Sequence, residues 1–244
     1  MRKALFVFFM IFWAAGITGL AEAGILDDIL KKLPAAGSAV PSADPDQKTT
    51  TSGLKEALVI SSKNAVKAVS KKDGYFGNPL VKIQLPGNVQ KVADVVAKLG
   101  FQKQVDGFIL SMNRAAEAAA PKAFPLFADA VKSMSIEDAR KILQGGDTAA
   151  TEYFKEKTSA KLYEEFKPVV AANMNGVGVA KTYKNMTAPY ESLPRASKES
   201  MDLDHYVTRK ALDGLFLIIA EEEKKIRTDP AARVTDLLKT VFGK

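Results

Sequence analysis

Apolar residues recur along this chain with helical spacing far more often than with the alternation of strands. The longest such segment is LDHYVTRKALDGLFLIIAEEEKKI, residues 203–226. At about 100° per residue, Leu203, Val207, Ala211, Leu212, Leu215, Ile218, Ile219 and Ile226 fall on one half of a helix, and Arg209, Asp213 and Lys224 on the other. Phe216, Leu217 and Ala220 break onto that second half. The run LFLIIA is therefore predicted to be covered on most sides, and this helix to be the spine on which the rest packs.

The same periodicity sorts the rest of the chain. Residues 24–33, GILDDILKKL, form a short amphipathic helix, and residues 34–51 have the Pro-, Ala-, Ser-, Asp- and Thr-rich composition of a flexible linker. A helix over 52–70 starts at Ser52 as N-cap and leads into the turn-rich loop DGYFGNP, residues 73–79. Residues 82–85 alternate like a strand, yet nothing elsewhere offers a pairing strand, so they read as an extended connector closed by Pro86. Residues 88–99 form a helix stopped by Gly100; the next, 102–120, ends on the small face Ala115, Ala116, Ala119 and Ala120. Pro121 and Pro125 mark a break and a new first turn, carrying on to Met134.

Ser135-Ile136-Glu137-Asp138 has capping-box spacing, with Asp in place of Glu or Gln. After Gly145-Gly146, either Asp147 or Thr148 caps a long helix with the stripe Thr151, Phe154, Thr158, Leu162, Phe166 and Val169 and a kink at Pro168. Residues 177–186 and the segment after Asp229-Pro230 complete the set. The expected fold is all-α: a single globular bundle of about eight to ten helices over residues 52–244.

Composition adds a compartment. Arg2 and Lys3, an apolar run to Leu20 and then Ala21-Glu22-Ala23 match a secretory signal peptide over residues 1–23, so the protein is expected to be exported and periplasmic; the alternative is a single membrane anchor. Cysteine is absent, which excludes disulfide staples, thiolate metal sites and cysteine nucleophiles. A single histidine, His205, excludes any site needing two imidazoles. The net charge of +7 favours anionic partners such as envelope lipids, although lysines interleaved with acids also read as solvated helix faces. Lysines are not interleaved with aromatics as stacking would require, so no nucleic acid is expected.

Glu222 is the most informative polar residue, because it falls near the centre of the spine's apolar arc. It is either paired inside the core, with Arg114 or Lys155 as candidates, or it marks the end of the helix emerging into water beside Glu221 and Glu223. Gly145-Gly146-Asp147-Thr148 before a helix start can leave amides open to an anion, with Thr151 in the first turn; a helix stop followed by an N-cap accounts for the same residues. Asp106, Asn113 and Glu117 share one helix edge, where Arg114 can reach Glu117. Asp202, Asp204 and His205 open the spine helix; they suit the positive end of its dipole more plainly than a metal, and no metal or cofactor is expected.

The motifs Asp73-Gly74-Tyr75-Phe76-Gly77-Asn78-Pro79, Asn113-Arg114-Ala115-Ala116-Glu117, Gly146-Asp147-Thr148-Ala149-Ala150-Thr151-Glu152-Tyr153-Phe154 and Ala211-Leu212-Asp213-Gly214-Leu215-Phe216 resemble the exported bacterial family known as domain of unknown function 4197. That resemblance implies one helical periplasmic unit and brings no reaction, ligand or site residue with it. Two functions remain to be separated. One is a non-enzymatic binding protein for an apolar ligand or an anionic envelope lipid, including contact with a membrane surface. The other is a hydrolase in which Glu222, Glu117, Asp147, Thr148 and Thr151 converge.

Overall fold

The computed structural model describes residues 47–175 and 202–229, together with residues 184, 185, 188 and 239. The chain divides into two compact units, residues 1–43 and 44–244, and the first lies outside the described residues. The expected signal peptide and the helix over 24–33 fall there. The helices expected over 177–186 and after Pro230 also lie, for the most part, outside the described residues.

The described residues form α1 (Gln47–Ser70), α2 (Gly87–Val96), α3 (Gln102–Ala119), α4 (Ala123–Ser133), α5 (Ile136–Gln144), α6 (Ala149–Met174) and α7 (Leu203–Thr228), with no strand among them. The fold is all-α, but the helix count differs from the eight to ten expected. A π-helical turn, Ala97–Phe101, joins α2 to α3, and a 3-10 turn, Ala120–Lys122, joins α3 to α4. Residues 87–133 thus form one helical stretch kinked at Gly100, and residues 47–175 and 202–229 hold five helical stretches. Gly100 does adopt the left-handed φ of 91° typical of a helix stop. The chain re-enters a helix at once with Gln102, so the stop becomes a corner. Pro121 sits in the first turn of the 3-10 segment, where its missing N–H costs nothing.

Two boundaries also move. α1 starts at Gln47 rather than Ser52, five residues into the expected linker, because Thr49, Thr50 and Thr51 are weak helix formers that hide the start. α6 runs through Pro168 to Met174, and its buried face continues from Phe166 to Val170 rather than to Val169. The capping box of α5 is present in full: Ser135 Oγ accepts the Asp138 N–H, and Asp138 Oδ2 accepts the Ser135 N–H.

α7 is the spine that the apolar pattern predicts, packing on α1, α3 and α6. Neighbours on several sides explain why Phe216 is buried although the wheel puts it on the polar half: its ring lies 6.1 Å from that of Phe127, which in turn is 4.9 Å from Phe154. Full burial of side chains such as Leu215 and Ile219 contributes about 2 kcal/mol each, upper-bound values that make packing the source of the helix's stability. Leu217 is the exception to the expected covering of LFLIIA, remaining exposed. At the junction of α3 and α4, Ala115, Ala116, Ala119, Ala120 and Ala123 are all fully buried, and α1 and α6 both pack on the 3-10 turn between those helices.

Candidate functional site

The loop over residues 71–86 is the longest non-helical stretch among the described residues, and α3 holds it down. Asp73 takes a left-handed φ of 63° at the start of the turn. Gly74 follows because a Cβ there would lie 2.5 Å from the Val69 carbonyl oxygen. The amides of Tyr75 and Phe76 both donate to Glu117 Oε1, at 3.1 and 3.2 Å. Arg114 bridges Glu117 and Asp73, closing the turn with two ion pairs. The hydrogen bond that Arg114 donates to Glu117, more than any other influence, raises the guanidinium further above its already high ordinary pKa. Tyr75 then plunges into the core, where its hydroxyl donates to the Ala211 carbonyl of α7 at 2.6 Å. Burial first, and the Glu117 charge second, push its phenol far above the ordinary value, so it stays a donor.

Further along the loop, Val81, Ile83 and Leu85 point inward while Gln84 is exposed and Lys82 half-buried. The alternation therefore reflects a real extended segment. Its pairing partner is a side chain: Asn113 Oδ1 accepts the Ile83 N–H at 2.8 Å and Asn113 Nδ2 donates to the Ile83 carbonyl at 2.9 Å. Toward the loop the amide offers one donor and one acceptor, as a neighbouring strand would, while Nδ2 also donates to the Ile109 carbonyl at 2.8 Å. Fully buried Asn113 thus belongs to loop anchoring, a role that spacing on α3 alone does not display.

The second cluster separates the two readings of Glu222: the residue has left the core, and the buried acid is its neighbour Glu223. Glu222 is not the buried acid; it is partly exposed and pairs with Lys225 at 2.6 Å. Glu223 is buried, at 6% exposure. Its carboxylate accepts the N–H groups of Ala150 (3.0 Å) and Thr151 (2.9 Å), the Thr151 hydroxyl (2.9 Å) and a two-nitrogen fork from Arg227. Arg227 also donates to the Ile142 carbonyl at 3.0 Å. The open amides expected at the start of α6 are real, and an acid from α7 already fills them, with the helix dipole favouring its charge. Thr148 is the N-cap residue of α6 but makes no side-chain cap. The cavity beside Glu223, lined by Leu54, Leu58, Ser61 and Ile226 among others, measures about 20 Å³, enough for a water but not a substrate. The signal for Glu223 lies in its register: it is four residues after Ile219, the better buried of the two isoleucines, and three before Ile226.

The named side chains therefore divide. Arg114 and Glu117 meet in the loop clamp, and Thr151 meets Glu223 in the helix clamp. Asp147 and Thr148 are exposed, and Lys155 pairs with Glu152 rather than with Glu222. Glu117 is engaged by Tyr75, Phe76 and Arg114, a cluster that includes none of Glu222, Asp147, Thr148 and Thr151. At the start of α7, Asp202 accepts the His205 N–H as an N-cap, and His205 Nδ1 hydrogen-bonds the Tyr163 hydroxyl at 2.7 Å. No group of three or more potential ligands capable of holding a metal occurs among the described residues.

The open surface lies between the anchored loop and α7. An open groove of about 370 Å³ is lined by residues 80–84 on one side and by Tyr206, Lys210, Asp213, Gly214 and Leu217 on the other. Leu80 and Leu217, exposed by 65% and 40%, give it apolar walls. Tyr206 ties the walls together by donating to the Gln84 carbonyl at 2.9 Å, and burial raises its phenol above the ordinary value. Gly214 sets the floor: a Cβ there would approach the Tyr75 ring to 2.9 Å and Val81 Cβ to 3.1 Å. Lys82 lies 4.2 Å from the centre of the Phe76 ring, and Lys210 lies 3.6 Å from Asp213, so the groove carries two cations against one acid.

Residues 44–243 match the family described as "Protein of unknown function (DUF4197)". The chain belongs to that family. No curated protein and no solved structure matches it. The two clamps and the groove all fall within the matched residues, so they are features of the family's own domain in this chain.

Proposed function

We propose that this is an exported, periplasmic, non-enzymatic binding protein whose groove takes an amphiphile with an apolar body and an anionic head, an envelope lipid being the class. The observation that carries the reading is the pair Leu80 and Leu217, left open to water on facing walls of one groove that also contains Lys82 and Lys210. Ligand pockets combine apolar walls with a few placed polar groups, and a cationic excess selects an anionic head. Both buried acids support a binding rather than a hydrolytic role, because their oxygens are already occupied by backbone amides and arginines. A general acid or base needs an accessible proton position.

Titration with an anionic fluorescent amphiphile such as anilinonaphthalene sulfonate tests the groove. Leu80→Ser with Leu217→Ser is expected to weaken binding about tenfold, in line with the loss of two apolar contacts. Lys82→Gln with Lys210→Gln is expected to weaken an anionic amphiphile more than an uncharged one of the same chain length. Mass spectrometry of an organic extract of the purified protein is expected to show a co-purified lipid. No lipid in the extract, together with amphiphile binding that ignores all four substitutions, overturns the reading.

A further inference from the structure

Where α2 turns into α3, residues 98–103, Lys-Leu-Gly-Phe-Gln-Lys, are all exposed, and Leu99 and Phe101 leave 49% and 37% of their surface in water. The corner is firmly mounted. Ala93 and Val96 before it and Val105 and Phe108 after it are buried in the core, and the chain is helical on both sides of Gly100. Lys98 and Lys103 flank the apex, which itself contains no acid. Asp94 and Asp106 lie further back on either helix and accept hydrogen bonds from Gln90 and Gln102.

A single exposed leucine needs no explanation. Two large apolar side chains at the tip of a rigid turn, with a lysine on each side, have the arrangement that suits a lipid–water boundary. The apolar groups enter the headgroup layer, the lysine stems lie along them, and the ammonium groups meet lipid phosphates. Ile136 provides the contrast within the same molecule: it is as exposed as Leu99, yet it is followed by Glu137 and Asp138, which an anionic surface would repel.

We propose that this corner docks the protein on the surface of a bilayer containing anionic phospholipids, with Leu99 and Phe101 as the inserted residues and Lys98 and Lys103 as the headgroup contacts. Docking is a property of a different surface from the groove and does not require the groove to hold a ligand. Among the described residues no helix is long and apolar enough to cross a membrane.

The chain begins its second compact unit at residue 44, so a protein starting at Gly24 keeps that unit whole and serves for the test. Absence of cysteine allows a single Phe101→Cys or Ile136→Cys to be labelled with an environment-sensitive fluorophore. Vesicles of phosphatidylcholine alone are compared with vesicles of equal parts phosphatidylcholine and phosphatidylglycerol. The label at position 101 is expected to shift to the blue on the anionic vesicles, and the label at 136 to stay unchanged. Leu99→Ser with Phe101→Ser is expected to lower partition about tenfold, and Lys98→Gln with Lys103→Gln to do so at low salt but not at roughly 0.5 M salt. Circular dichroism checks that each variant keeps its helix content. Position 101 staying in water while the protein is vesicle-bound, equal shifts at 101 and 136, or unchanged partition of the serine pair would each overturn the proposal. Leu217→Ser is expected to leave partition intact; if it alone abolishes vesicle binding, the groove is the lipid contact and the corner is not. Failure at the corner with amphiphile binding preserved leaves the groove reading standing.

Discussion

Glu117 and Glu223 are the two acids buried among the described residues, at 5% and 6% exposure, and each is built the same way. Each takes two successive backbone amides from a distant segment and an arginine from its own helix. They differ in what they hold and in how open they are. Glu223 grips the first turn of α6, with Arg227 itself only 15% exposed. Glu117 grips a loop, and its Arg114 also reaches Asp73 at a half-exposed edge. In this cysteine-free chain a buried carboxylate acts as a cross-link between remote segments, and water at one edge sets how much each link is worth.

The largest effect should come from Glu223→Ala, which strands two helix-start amides, the Thr151 hydroxyl and Arg227. A loss of about 3–5 kcal/mol in urea unfolding is expected, with the midpoint falling and the slope unchanged. A loss under about 1 kcal/mol would show that Glu223 does not cross-link the two helices. Glu117→Ala should cost less, about 2–3 kcal/mol, because water can reach Arg114 and Asp73 once the carboxylate is gone. Equal losses for the two alanine variants would show that the open edge is irrelevant. Tyr75→Phe removes the donor to the buried Ala211 carbonyl and should cost about 1–2 kcal/mol by the same measurement.

Two smaller effects sharpen the contrast. Glu222→Gln, one residue from the strongest position, should change stability by no more than about 0.5 kcal/mol, since its pair with Lys225 sits at the surface. Asp138 supplies the pH test. Hydrogen bonds from the Ser135 side chain and backbone hold its carboxyl below the ordinary aspartate value of 3.8. A depressed native pKa means a contribution that is complete above that value and is lost as pH falls through the lower one. Protection of the α5 amides relative to their intrinsic exchange rates should therefore fall as the pH drops below 3.8, and Asp138→Asn should remove that step.

The spine and the capping box were legible because each is a local pattern that periodicity or cap chemistry fixes, whereas the break expected at the prolines is only a tightening into a 3-10 turn. The helix count was not. A left-handed Gly100 marks a stop whether the chain then leaves the helix or bends into the next one, and only packing decides. Glu223 was hidden for a similar reason: adjacent positions on a helix differ by about 100°, so the choice between 222 and 223 turns on whether the inward line runs through Ile218 or Ile219. Alternation over residues 82–85 could be read, but its partner could not, since an asparagine on α3 stands in for a strand. Exposure of Leu80 and Leu217 is equally a tertiary fact, created by a loop that stops short of covering α7.

The five fully buried alanines spanning α3 and α4 have a further consequence. They act as a gauge, set in single methyl groups, for how near the neighbouring backbones can come. Sliding a helix by one turn would present Met112 or Phe127 where only a methyl fits, so such mis-registered assemblies are excluded by volume. A chain with no disulfide can in this way settle on one arrangement through the smallest side chains it buries.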